Sequence, residues 1–169
     1  MFGQERVIAR TERFLAVDIS GATDPSETVE DTPSMEPLPI TLSLAPCAGQ
    51  PLMTIDQIDA TRPPFDAVGV RIRPSGAFKV SGWAVDHTNR TAASGVDVVI
   101  DKMVFPSTYG IHRNDVADYF RRAMYRDTGF TASIPANAVP AGEHWLSLRV
   151  VTLAGGCYFQ STGIRVTVD

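Results

Sequence analysis

From Ile40 onward the chain is a series of short segments in which apolar and polar positions alternate. In "VGVRIR", Val68, Val70 and Ile72 fall on one side and Arg71 and Arg73 on the other. "ITLSL" has the same period, and "AFKVSGWAVD" resumes it after the turn residues "RPSG". "GVDVVIDKMVF", "GFTASIP", "HWLSLRVVTL", "CYFQS" and "GIRVTVD" complete the set. A period of two puts alternate side chains on opposite faces of a strand. Several such strands, rich in Val, Ile and aromatics and separated by turn residues, predict an all-β, antiparallel sandwich over 40–169.

One segment breaks the alternation. In "RNDVADYFRRAMYRD", Val116, Tyr119, Phe120, Ala123 and Met124 recur at helical spacing, which predicts an inserted short helix over about 114–125. Asn114 or Asp115 would cap its start, and Arg121, Arg122 and Arg126 would complement the dipole at its end. A second helix is predicted over 4–15, with Arg6, Arg10 and Arg13 in a stripe. At about three turns it is too short to stand alone and must dock on something.

Between these parts lies "ATDPSETVEDTPSMEPLP", residues 22–39, with four prolines, five acids and no Lys or Arg. Such a tract cannot bury enough apolar surface to fold by itself. The expected organisation is a docking helix and strand over 1–18, an extended acidic arm over 19–39, and the sandwich over 40–169.

The chain has 169 residues, of which 44% are hydrophobic and 20% charged, enough for one domain with extensions. A net charge of −4 argues against general nucleic-acid binding and against an anionic membrane surface as partner. No stretch has the roughly 18 to 20 apolar residues of a membrane-spanning helix. The first residues carry Glu5, Arg6, Arg10, Glu12 and Arg13 where an export signal needs an apolar run, so none is expected there. Acids are concentrated in 14–61, which lacks Lys and Arg, whereas 62–169 is net +3. The acidic run is either a solvated tail or a segment that lies along a basic surface.

The segments "FKVSGWAVD", "GVDVVID", "YGIHRNDVADYF", "DTGFTASIP" and "VPAGEHWLSLRVV" together resemble an immunoglobulin-like β-sandwich module of bacterial membrane-associated proteins. Such modules often form the extracytoplasmic C-terminal part of multi-pass glycosyltransferase-like proteins. The positions that carry the resemblance include Gly82, Trp83, Asp97, Arg113, Asp115, Val116, Ala117, Gly129, Phe130, Gly142 and His144. An upstream element with Cys47, Ile55, Asp56 and Ile58, paired with a late Cys157, also matches. These are packing motifs, so the resemblance implies a fold and carries over no catalytic residue. It also implies a Cys47–Cys157 disulfide, which would close a loop worth up to about 4 to 5 kcal/mol. Two buried free thiols are the alternative, and they require a reducing compartment.

Candidate chemistry is sparse. Trp83 stands beside Val80 and Val85 and is expected in the core; a sugar-stacking platform is the other use of such a ring. Tyr109, Tyr119 and Tyr125 cluster around the inserted helix and are the candidate glycan surface. His87, His112 and His144 lack metal-ligand spacing, and no metal or cofactor site is expected. Asp97 and Asp101 lie about 13 Å apart along one strand, too far for a retaining carboxylate pair, and read as solvated acids. There is no nucleophile elbow and no Gly-rich phosphate loop, so the chain is expected not to be an enzyme.

The leading expectation is a non-enzymatic accessory subunit that docks on and stabilises a larger, membrane-bound protein assembly. Arg6, Arg10, Arg13, Asp24, Glu27, Glu30, Asp31 and Glu36 are its candidate partner-binding residues, with protein subunits as partners, no nucleic acid and no span of its own. The alternative is a carbohydrate-binding module associated with envelope glycan assembly. The expected location is the periplasmic or extracytoplasmic face of a bacterial membrane, with the cytoplasmic face as the alternative.

Overall fold

A computed structural model describes residues 37–169, and among them strands dominate. In chain order these are β1 (Ala45–Pro46), β2 (Leu52–Ile58), β3 (Val70–Ile72), β4 (Ala77–Asp86), β5 (Thr91–Ala92) and β6 (Gly95–Ile100). They continue as β7 (Met103–Pro106), β8 (Thr108–His112), β9 (Asp127–Pro135), β10 (Gly142–Val151), β11 (Cys157–Gln160) and β12 (Ile164–Val168). Among the described residues one α-helix, α1 (Asn114–Phe120), follows β8.

The strands form two sheets. The first is centred on β10, with β6 along one edge and β11 then β12 in succession along the other. β7 extends it beyond β6, while β1 and β3 pair in parallel with β11 and β12. The second has the order β2-β4-β9-β8, with β5 also paired to β4.

The two sheets share one core, and period-two alternation explains which side chains enter it. Phe78, Val80 and Ala84 of β4 and Phe130, Ala132 and Ile134 of β9 point inward from the second sheet. Val96, Val98 and Ile100 of β6 and Leu146, Leu148 and Val150 of β10 meet them from the first. Each large side chain buried in this way contributes roughly 1.5 to 3 kcal/mol relative to exposure. A β-sandwich is therefore present. Asp86, fully buried at the end of β4, ties the two sheets together by accepting a hydrogen bond from the Leu153 N–H at 2.7 Å.

Three local expectations are corrected. "ITLSL" is not a strand, because Thr41 spends its hydrogen bonds elsewhere: its N–H and Oγ1 both donate to Asp97 Oδ2, at 2.8 and 2.7 Å. Asp97 is correspondingly buried rather than solvated. In "VGVRIR" only Val70–Ile72 pairs, and Val68 is exposed in the preceding turn, where Asp66 accepts its N–H.

The inserted helix is shorter than the 114–125 that its periodicity predicts. It ends at Phe120 because Arg121 adopts a left-handed conformation, with φ 53° and ψ 45°, and caps the helix through its backbone N–H. A 3-10 turn, Ala123–Tyr125, then drives Tyr125 inward. Neither Asn114 nor Asp115 caps the start, since the Asp115 carboxylate is engaged by Arg113. Within 114–125, Val116, Ala117 and Tyr125 are buried, Phe120 is half-buried, and Tyr119 and Met124 face solvent.

Candidate functional site

The outer face of the second sheet carries a cleft of about 550 Å³, walled by β2 and β4 on one side and by α1 on the other. Its floor rests on a small second cluster of Val85, Val116 and Tyr125, with Leu52, Trp83 and Phe120 packed against it. Trp83 thus lies outside the main core, half-buried on the outer face, because β4 sends Gly82 and Ala84 inward instead.

Three features of the backbone assemble the polar part of this cleft. The pairing of β2 with β4 shifts register between Ile55 and Gln57, so Asp56 is an extra residue in a β-bulge. Bulges re-aim side chains, and this one turns Asp56 toward α1. Gly82 admits β2 closely, since a Cβ there would lie 2.0 Å from the Thr54 carbonyl oxygen. Arg113 follows β8 and is pinned by its own N–H, which donates to the Arg126 carbonyl at 2.6 Å.

From that position the Arg113 guanidinium bonds three carboxylate oxygens. Nε donates to Asp115 Oδ1 at 2.8 Å, Nη2 to Asp115 Oδ2 at 2.6 Å, and Nη1 to Asp56 Oδ2 at 2.6 Å. The fork to Asp115 is the bidentate geometry that guanidinium and carboxylate favour. It raises the Arg113 pKa above its ordinary value, with the Asp56 hydrogen bond adding to it against burial. The same fork holds the Asp115 carboxyl below the usual carboxylate range.

Aromatic rings complete the lining. Phe120 meets Trp83 edge-on, with centroids 5.6 Å apart, and meets Tyr119 edge-on at 4.9 Å. Tyr119 is 82% exposed at the rim. The cleft therefore offers ring faces and edges beside two carboxylates and a fixed guanidinium. This is equipment for binding a ligand with apolar faces and many hydroxyl or amine groups.

Of the three tyrosines proposed from sequence, only Tyr119 faces this surface. Tyr125 is buried in the second cluster. Tyr109 is held inside: its Oη donates to the Ala84 carbonyl at 2.7 Å and accepts the Ala93 N–H at 2.9 Å. Burial first, then the Asp86 charge, push its hydroxyl up to about 12 against the Ala93 hydrogen bond. As glycan-contacting residues, Tyr109 and Tyr125 are corrected to structural ones.

Arg6, Arg10, Arg13, Asp24, Glu27, Glu30, Asp31 and Glu36 lie outside the described residues. Cys47 and Cys157 are joined in a disulfide, with Cα atoms 5.4 Å apart. Asp101 does not point freely into solvent, for it accepts the Trp145 N–H and pairs with His144. Among the described residues no group of His, Cys, Asp or Glu is arranged to hold a metal ion, and no helix is long and apolar enough to cross a membrane.

Asp56, Arg113 and Asp115 were visible in the sequence only as parts of packing motifs, whereas Trp83 was also weighed there as a sugar-stacking ring. The charged residues among mostly apolar and glycine motif positions were the available signal, and Asp97 shared it without belonging to the cleft.

The fold and site define a two-sheet β-protein with an aromatic and carboxylate-lined surface cleft. No family model and no curated protein matches the chain. Among solved structures it is similar to the X-ray structure of the endo-β-1,4-mannanase from Thermotoga petrophila, at 15% identity and a TM-score of 0.43. That match covers 73% of this chain and 20% of the mannanase. The matched structure is that of an enzyme, which runs against the expectation that this chain is not one. A likeness at this level carries no argument for any particular fold or activity.

Proposed function

We propose that this chain is a glycan-binding module of immunoglobulin-like type, working outside the cytoplasm in association with envelope glycan assembly. The observation that carries the reading is the placement of exposed Tyr119 and half-buried Trp83 beside the Arg113–Asp56–Asp115 network in one open cleft. Pyranose rings present C–H faces that stack on aromatic side chains, and hydroxyls that donate to carboxylates. A cleft of about 550 Å³ has room for one or two sugar units. The Cys47–Cys157 bridge supports an oxidising location, since disulfides persist outside reducing compartments.

The test is a glycan panel of neutral, amine-bearing and acidic oligosaccharides, probed with the chain and with Tyr119→Ala. Binding of at least one glycan, weakened roughly five- to tenfold by the substitution, is expected from the loss of one aromatic contact. Failure to bind any member of the panel would overturn the reading.

A second reading is an accessory subunit that docks on a larger membrane-bound assembly. It is favoured by the leading segment, where Leu38 and Leu42 are 80% and 66% exposed. They flank Thr41, which is anchored to Asp97, so the segment is displayed on a fixed base. Co-purification with larger subunits, abolished by removing residues 1–39, is its test; a chain that purifies alone from native extracts overturns it.

A further inference from the structure

We infer that the cleft selects sugars bearing a free ammonium group over their neutral counterparts and rejects anionic sugars, an inference that rests on the glycan-binding reading. Among the described residues, the charged side chains lining the cleft are Asp56, Arg113 and Asp115. One guanidinium between two carboxylates leaves this group with an excess of negative charge. The excess is also displayed unequally. The Arg113 side chain is 21% exposed, against 41% for Asp56 and 65% for Asp115. The cation lies beneath, turned onto its own carboxylates, and the anions face the ligand.

A free arginine would grip a uronate or a phosphate with its fork. Here the fork is already taken by Asp115, with Nη1 committed to Asp56. An acidic sugar would thus meet two partly exposed carboxylates, with no uncommitted cation among the described residues that line the cleft. An ammonium group would meet those carboxylates and the Tyr119 ring, which adds cation–π attraction. A neutral sugar keeps the hydroxyl-to-carboxylate bonds and lies between the two.

The test is titration calorimetry of the full chain with three oligosaccharides of matched length. These are a glucosamine oligomer with its amines protonated, an N-acetylglucosamine oligomer and a galacturonate oligomer. Affinity is expected to fall in that order, by roughly twofold to fivefold per step, the size of a partly exposed ion pair. Raising the salt should narrow the steps. The chain's net charge of −4 could attract any polyamine, so Tyr119→Ala serves as the control. It alters an exposed side chain, and glucosamine binding that is undiminished in it would overturn the inference. Galacturonate binding as tight as glucosamine binding would overturn the inference and leave glycan binding standing. Silence from all three, with Tyr119-dependent binding elsewhere on the panel, would do the same; silence across the whole panel overturns both.

Discussion

Arg113 occupies the space that a side chain on Gly129 would fill: its Cγ lies 3.0 Å from the position of a Cβ on that glycine. Gly129 sits on β9, opposite Trp83 of β4, so its missing side chain opens a channel across the sheet. Arg113 uses that space to reach from the end of β8, across β9 and β4, to Asp56 on β2. Gly129→Ala would also press on the Ile111 carbonyl oxygen, 2.9 Å away, which is backbone and yields little. We expect it to destabilise the domain by about 1 to 3 kcal/mol and to weaken ligand binding by displacing the guanidinium. Chemical denaturation and calorimetry would measure both, and an unchanged midpoint would contradict this account of the channel.

Arg113→Lys is expected to separate charge from geometry. Lysine keeps the positive charge but cannot bond both Asp115 oxygens and Asp56 at once. With the Arg113 side chain 21% exposed, losing two of its three charge-assisted bonds should cost about 1 to 3 kcal/mol. The variant should also free Asp56 and disorder the cleft wall. Wild-type stability in Arg113→Lys would show that charge alone holds these strands.

How much of this could be read from the chain depends on what enforces each feature. Phe78, Val80 and Ala84 were legible as inward positions because burial on one face imposes a period of two. "ITLSL" misled because Thr41 is held by Asp97, 56 residues away, and local alternation cannot encode that contact. The helix end was missed because its left-handed cap is an arginine, Arg121, where a glycine would have announced it. Asp56 was visible only as a residue between two isoleucines. Its role comes from a bulge that the pairing of β2 with β4 creates, and no single segment contains that information.

Reduction of the Cys47–Cys157 bridge should lower stability without unfolding the sandwich core. The bridge spans a sequence separation of 110 residues and fastens the leading segment where β1 pairs with β11. In the chain-entropy model a loop of this length is worth up to about 4 to 5 kcal/mol. Native mass spectrometry should show the chain two hydrogens lighter before reduction, and reductant should lower the melting temperature. Two thiols that alkylate freely in the native protein would refute the bridge and, with it, the support for an oxidising location.

His144 and Asp101 should make stability depend on pH in a defined direction. Both ring nitrogens of His144 face acceptors, with Nδ1 2.7 Å from Asp101 Oδ2 and Nε2 2.8 Å from the Pro140 carbonyl. Only the doubly protonated ring can donate to both. The Asp101 hydrogen bond foremost, then the Pro140 carbonyl, raise the His144 pKa, while burial opposes them. A raised folded value means that the stabilisation is complete below the unfolded pKa of about 6.5 and is lost as pH rises through the folded value. Asp101 behaves oppositely. Its pKa is lowered by His144 first and the Trp145 N–H second, so its contribution is present above about 3.9 and fades as pH falls through the depressed value. The pair therefore supports the β6–β7 turn and the start of β10 most strongly between those limits, from about pH 4 to 6.5. Unfolding free energies at pH 5.5 and 8.5 should differ in the native chain, with the lower pH more stable, and the difference should shrink in His144→Gln. An NMR titration should place the His144 pKa above that of an unfolded histidine. A His144 that titrates at or below the unfolded value would sink the prediction, whatever the stability data show.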